Sequence, residues 1–148
     1  VVEDYKNKHE LSLTCFVKNN IDSDFYIIKD GRRKLINDDK TLKLFLKQSK
    51  DVRIIEDKGD ILGVSGIWKF NDNNTIKEYV KINAINSDIF EKLLVVNIWN
   101  TKNNLNIGVK RNYKFMNILK NKGFETLSSN ENEVNLIYSK YKKREYNK

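Results

Sequence analysis

At 148 residues, 39% hydrophobic and 32% charged, the chain can bury one sizeable core, which excludes a disordered or fibrous protein. Its formal charge of +8 favours acidic partners such as nucleic acid, phosphorylated cofactors or an acidic protein surface, although a lysine-rich, AT-biased coding sequence gives the same excess. No apolar run reaches the roughly 20 residues that span a bilayer, so no membrane partner is expected; one cysteine and one histidine exclude an intrachain disulfide and argue against a structural zinc site, and no metal is expected.

The first twenty residues read as helical in part, with Leu11, Leu13, Cys15, Phe16 and Val17 as apolar weight. Cys15 is expected in the core and His9 at the surface; six residues apart, they do not meet on a helix as a nucleophile pair. The unpaired cysteine fits a reducing, cytoplasmic location. No signal-peptide pattern opens the chain, and a start at Val1 leaves room for a preceding piece.

Asp24 to Ile36 has the shape of a hairpin around Asp30-Gly31. The basic run Arg32, Arg33, Lys34 reads as a solvated edge, with phosphate contact as the other reading. Asp38 or Asp39 caps a helix from Thr41 to about Ser49, which buries Leu42, Phe45 and Leu46. A longer hairpin follows: Val52, Ile54 and Ile55, a turn at Asp57 to Asp60, then Ile61 to Phe70. Gly63 and Gly66 in its second strand signal a bulge or a close backbone approach, and Trp68 is expected in the core.

Past the polar loop Asn71 to Asn74, a strand runs to Ile85. Ile76, Glu78, Val80, Ile82 and Ala84 share one face; Lys77, Tyr79, Lys81, Asn83 and Ile85 share the other. Asn86-Ser87-Asp88 opens a buried helix from Ile89 to about Trp99, with Asp88 as its cap. Leu105, Ile107 and Val109 alternate as a half-buried strand. Asn112 is placed as the cap of a further helix with Phe115, Ile118 and Leu119 inward, Gly123 as its left-handed stop, and Phe124 folding back. Glu125 to Leu127 and Glu133 to Tyr138 make a last hairpin. The basic end from Lys140 reads as a frayed, solvated tail over 141–148, with a nucleic-acid-binding tail as the alternative. The sum is a single-domain α/β (α+β) fold, its sheet mostly antiparallel, with one parallel βα crossover in the second half.

In this order the elements from Asp24 to Tyr138 resemble the GNAT family of N-acetyltransferases. The resemblance rests on the turn into Gly59-Asp60-Ile61-Leu62-Gly63-Val64, on the strand Glu78 to Ala84 followed at once by a helix, and on Asn112 ahead of Gly123-Phe124 at the family's interval. It implies a strand around Val80 to Ile85 that splays from a parallel neighbour. It further implies acetyl-CoA as co-substrate, bound along Val80, Ile82, Asn83 and Ala84, with Asn86 and Ser87 at the pyrophosphate and Asn112 on the cofactor. By the same resemblance Glu78 would be the base, with Tyr113 or Tyr79 the proton donor. The loop INSDIFEKLL lacks the family's usual glycines and arginine and is shorter. Leu119 stands where the family often carries its tyrosine. Three readings follow: acyl transfer to a small-molecule or protein amine; a GNAT-like binding or structural module without catalysis, of phage or mobile-element origin; and a nucleic-acid-associated protein, whose binding would weaken steeply with salt.

Overall fold

The first residues do more than form a helix. β1 (Val2–Asp4) leads through a 3₁₀ turn at Asn7–His9 into α1 (Glu10–Asn19) in the computed structural model, which describes residues 1–140. His9 is buried and Cys15 exposed, the reverse of the sequence expectation. The cause is local: His9 Nδ1 accepts the Lys6 N–H at 2.9 Å, which ties the ring back under the turn.

Turn chemistry then lays out half of the sheet. Asp30 and Gly31, with φ of 54° and 75°, join β2 (Tyr26–Lys29) to β3 (Arg32–Leu35) in a two-residue hairpin. α2 (Asp39–Gln48) follows, capped by Asp38, whose carboxylate accepts the Thr41 N–H. The turns after β4 (Ser49–Asp57) and β5 (Asp60–Asp72) also use positive φ, at Lys58-Gly59 and Asn73-Asn74, and deliver the chain into β6 (Thr75–Ala84). α3 (Ser87–Asn100) starts at once, and its cap is Asn86 rather than Asp88: the Asn86 side chain accepts the Ile89 N–H at 2.9 Å.

β7 (Leu105–Lys110) returns parallel to β6, and its first five residues are all buried, so it is covered on both faces rather than half-buried. α4 (Met116–Asn121) begins three residues later than a cap at Asn112 would place it. The rings of Tyr113 and Phe115 seat against Phe90 first, through turns bonded Tyr113 N–H to Lys110 C=O and Met116 N–H to Tyr113 C=O. The helix stops as expected. Gly123 (φ 104°) donates to Lys120 C=O and Phe124 to Leu119 C=O, and the buried Phe124 packs back into the core. β8 (Glu125–Ser129) and β9 (Glu133–Tyr138) close the order.

The seven-stranded sheet runs β1-β4-β5-β6-β7-β9-β8, antiparallel throughout except at β6–β7, while β2–β3 forms a separate ribbon. α3 and α4 cover one face with Val80, Ile82, Ala84, Phe90, Leu93 and Leu119. α1, α2 and the ribbon cover the other with Leu13, Phe16, Phe25, Phe45 and Val64. The expected α/β architecture, mostly antiparallel with one parallel crossover, is the observed one. The expected basic tail at 141–148 lies outside the described residues. No helix among the described residues is long and apolar enough to cross a membrane.

Both glycines of β5 mark close approach. A Cβ at Gly63 would lie 2.6 Å from Ile89 Cγ2, and one at Gly66 would lie 2.7 Å from Phe45 Cζ. α3 and α2 therefore press onto opposite faces of one strand. Gly63→Ala is expected to cost about 1–3 kcal/mol by overpacking, read as a lower urea midpoint at an unchanged m-value.

Candidate functional site

The decisive local geometry is a short parallel ladder. β6 and β7 pair only at Glu78–Leu105 and Tyr79–Asn106; beyond these pairs the strands have no register with each other. Antiparallel β5 follows β6 to its end, from Thr75 to Ala84, and β9 follows β7 from Leu105 to Lys110. Each strand thus keeps its outer neighbour while the inner edges separate toward their C-terminal ends. Such an opening leaves main-chain N–H and C=O groups without a ladder partner, and C-terminal strand ends are where open α/β sheets hold ligands.

Segments from the first half of the chain gather at this opening. Asn83 Nδ2 donates to Asn20 C=O at 2.8 Å, and the Lys110 N–H donates to Asp24 Oδ1 at 2.9 Å, so the 20–24 segment bridges the two splayed strands. Asp22 Oδ1 accepts the Asp24 N–H at 2.9 Å, and its other oxygen is buried without a partner among the described residues. Burial, with Asp22 adding repulsion, raises the Asp24 pKa against the opposing pull of Lys110 and Lys81. Lys81 is 5% exposed, and its Nζ sits 3.7 Å from the centre of the Tyr26 ring. Burial first, then Arg33, lowers its pKa to about 8. Tyr26 is pushed up to about 12, chiefly by burial and then by Glu133.

The ribbon is pinned above this spot. Arg33 forms an ion pair with Glu133, and Tyr26 Oη donates to Glu133 Oε1 at 3.4 Å. Below it, Tyr26, Ile28, Arg33, Trp68, Phe70, Tyr79, Lys81, Gly108, Glu133 and Asn135 line a pocket of about 180 Å³. Trp68, expected in the core, is a half-buried wall of this pocket and the cross-strand partner of Tyr79. Arg33, read as a solvated charge, is one of its anchors.

The residues expected at the site are spread over several places. Val80, Ile82 and Ala84 lie along the splayed part of β6, buried in the α3 face, with Asn83 pointing the other way to Asn20. Tyr113 is buried against Phe90 and Phe115, and burial raises its pKa well above the ordinary value, with Asp22 and then Asp24 adding to the shift. Asn86 caps α3, Ser87 is exposed beside it, and Asn112 is exposed in the loop after β7, beside Arg111 and Lys110 in a surface cleft. Glu78 stands apart. It lies at the paired foot of the opening, 2.9 Å from Lys50 Nζ and 3.4 Å from Asn103 Nδ2. β7 then runs about 16 Å from Leu105, opposite Glu78, to Lys110, three residues before Tyr113. Its carboxylate is the counter-ion of Lys50. Lys81, Asp22 and Asp24 were not singled out from the sequence; the one signal was Lys81 on a strand face between Tyr79 and Asn83.

Glu3, His9 and Glu56 also come within ligand reach of one another. His9 Nδ1 accepts a backbone N–H, which leaves the ring proton on Nε2, in close but poorly directed contact with Glu3 Oε1 at 2.9 Å. The Glu3–His9 contact joins β1 to the 3₁₀ turn.

No protein-family model and no curated protein sequence matches the chain. Solved structures do. A ribosomal-protein-alanine N-acetyltransferase from Brucella melitensis superimposes with a TM-score of 0.71 at 12% identity, over 94% of this chain and 99% of that one. yncA, a putative acetyltransferase from Salmonella typhimurium solved with its cofactor acetyl-CoA, gives 0.68 at 11% identity, over 95% and 93%. The ribosomal-protein-S5-alanine acetyltransferase from Vibrio fischeri gives 0.67 at 14% identity, over 95% and 93%. The chain has the GNAT fold.

Within the GNAT fold, a cofactor's fit divides along its length. The unladdered edges of β6 and β7 suit an amide-bearing arm. The α3 entrance is less suited to a pyrophosphate. The connection is only Ile85 and Asn86, Asn86 occupies the Ile89 N–H, and the Asp88 carboxylate stands in the first turn, 3.1 Å from Lys92 Nζ.

Proposed function

We propose that the chain is an acyl-CoA-dependent acyltransferase acting on an amine. The observation that carries this reading is the two-pair β6–β7 ladder opening beside Asp24 and Lys81, with Tyr113 close enough to feel Asp22 and Asp24. When bound, an acyl-CoA supplies an activated thioester carbonyl.

The rest belongs to the chain. Free N–H groups of β6 beyond Tyr79 would polarise the carbonyl, and the splayed strands would hold the arm in line for attack. The base is assigned to Asp24 rather than Glu78, because Asp24 is at the opening with a raised pKa while Glu78 is paired with Lys50 at the foot. Tyr113 keeps its proton across the physiological range and would hand it to the departing sulfur. Val80 to Ala84 would line the arm, with Asn86 and Ser87 at one lip and Asn112 at the other.

The packing of the same gap favours a second reading, a module that keeps the fold without transfer. Val80, Ile82, Ala84, Phe90, Ile107, Val109 and Tyr113 are all buried in one continuous cluster. One titration separates the two. Calorimetry of the full chain with acetyl-CoA is expected to give saturable heat at sub-millimolar concentration. No heat at millimolar cofactor would leave only the binding module.

A further inference from the structure

We propose that the pocket roofed by the β2–β3 ribbon binds a small aromatic carboxylate, its ring between Trp68, Phe70 and Tyr79 and its anionic group on Lys81 Nζ. This deepens the acyl-transfer reading and, for the acceptor class, rests on it: there the acceptor would be an aromatic molecule bearing both an amine and a carboxylate. The binding claim itself needs no acyl-CoA.

The argument begins with an unmet demand. Lys81 is a buried lysine that, among the described residues, has no hydrogen-bond acceptor and no ion-pair partner; its ammonium faces the rings of Tyr26, at 3.7 Å, and Trp68, at 5.9 Å. A cation taken out of water this far is retained at a large desolvation cost unless something compensates it. The nearby carboxylates are engaged elsewhere: Glu133 with Arg33 and Tyr26, Asp24 with the Lys110 N–H. An anion from outside is the missing partner.

The walls decide what carries that anion. Trp68 and Phe70 stand edge to face, 6.2 Å between centroids, and Tyr79 pairs with Trp68 across the strands. Phe70 is 46% exposed, so an apolar ring entering here covers aromatic surface that water now wets. The volume of about 180 Å³ admits one ring and its substituent, and no dinucleotide or folded peptide. An aromatic cage often selects a cation. Here Lys81 already occupies the Tyr26 face from within and Arg33 lies 4.5 Å from the centre of the same ring, so that ring is not open to a cationic ligand.

The test uses the full chain carrying Trp99→Phe, which removes an indole that is 79% exposed and leaves Trp68 as the only fluorophore of its kind. Benzoate and 4-aminobenzoate are expected to quench Trp68 saturably without any acyl-CoA. Benzamide and benzylamine should bind at least about tenfold more weakly, as should benzoate to the additional variant Lys81→Met. Benzamide binding as well as benzoate, full binding by Lys81→Met, or no saturable quenching up to about 10 mM would each overturn the proposal. Carboxylate binding together with silence toward acetyl-CoA would uphold this site and remove the transferase reading; the converse would remove the site and leave transfer standing.

Discussion

Truncating Phe90 to alanine is expected to destabilise the fold by about 3–5 kcal/mol, a large part of the roughly 5–15 kcal/mol that folded proteins commonly have. Phe90 is fully buried on the first turn of α3, stacked on Phe115 at 4.4 Å between centroids and edge-on to Tyr113 at 6.0 Å. The loss combines burial, aromatic pairing and a cavity the neighbours cannot all collapse into, because Gly63 already has α3 pressed onto β5. Urea denaturation should show the loss as a drop in midpoint. A cost under about 1 kcal/mol would mean that the α3–α4 side of the gap is loosely packed and already able to admit a guest.

Lys81→Met is expected to act in the opposite direction, stabilising the chain at neutral pH by about 1–3 kcal/mol. A fall from 10.5 to about 8 corresponds to about 3 kcal/mol of differential stabilisation. The cation–π contact with Tyr26, worth about 1–2 kcal/mol in a desolvated setting, offsets part of it. The sign follows from proton counting. Between about pH 8 and 10.5 the unfolded chain holds a lysine proton that the folded chain has released, so the stability of the native protein rises with pH across that window. Below pH 8 both states are protonated and the penalty is complete. From about pH 10 upward Tyr26, raised to about 12 when folded, ionises first in the unfolded chain and stability falls again. Urea midpoints from pH 7 to 11 should therefore show an alkaline maximum in the native chain, and Lys81→Met should lack the rise that leads to it. A rise of equal size in the variant would show that Lys81 is not the group responsible. A substitution that strengthens the fold while emptying its pocket of affinity is what a functional lysine predicts.

Much of this architecture was readable because its signals are local. Asp30-Gly31 marked a hairpin that the positive φ angles confirm, the alternation of Ile76 to Ile85 assigned both faces of β6, and Gly123-Phe124 marked the stop of α4. The errors came where distant partners override local preference. Asn112 is a good cap, but Tyr113 and Phe115 reach Phe90, more than twenty residues earlier, before the helix can start. Asp88 suits a cap, yet Asn86 takes the Ile89 N–H because the chain turns two residues sooner. The pocket was the least legible part. Lysine is ordinarily exposed, and only the ribbon 50 residues upstream, clamped by a glutamate 50 residues downstream, puts Lys81 under cover. Periodicity likewise gives the faces of β6 and β7 but not the point where their ladder stops.

The Arg33–Glu133 clamp joins positions 100 residues apart, and β9, the last strand described, lies inside the sheet between β7 and β8. During synthesis the ribbon, Trp68, Tyr79 and Lys81 all leave the ribosome well before the residues that complete their enclosure. Until Glu133 and Asn135 arrive, the buried ammonium has open water around it and β7 presents a bare edge. A nascent chain stalled before β9 therefore exposes a pairing surface to its neighbours on the same message, and release of β9 both finishes the pocket and covers that edge.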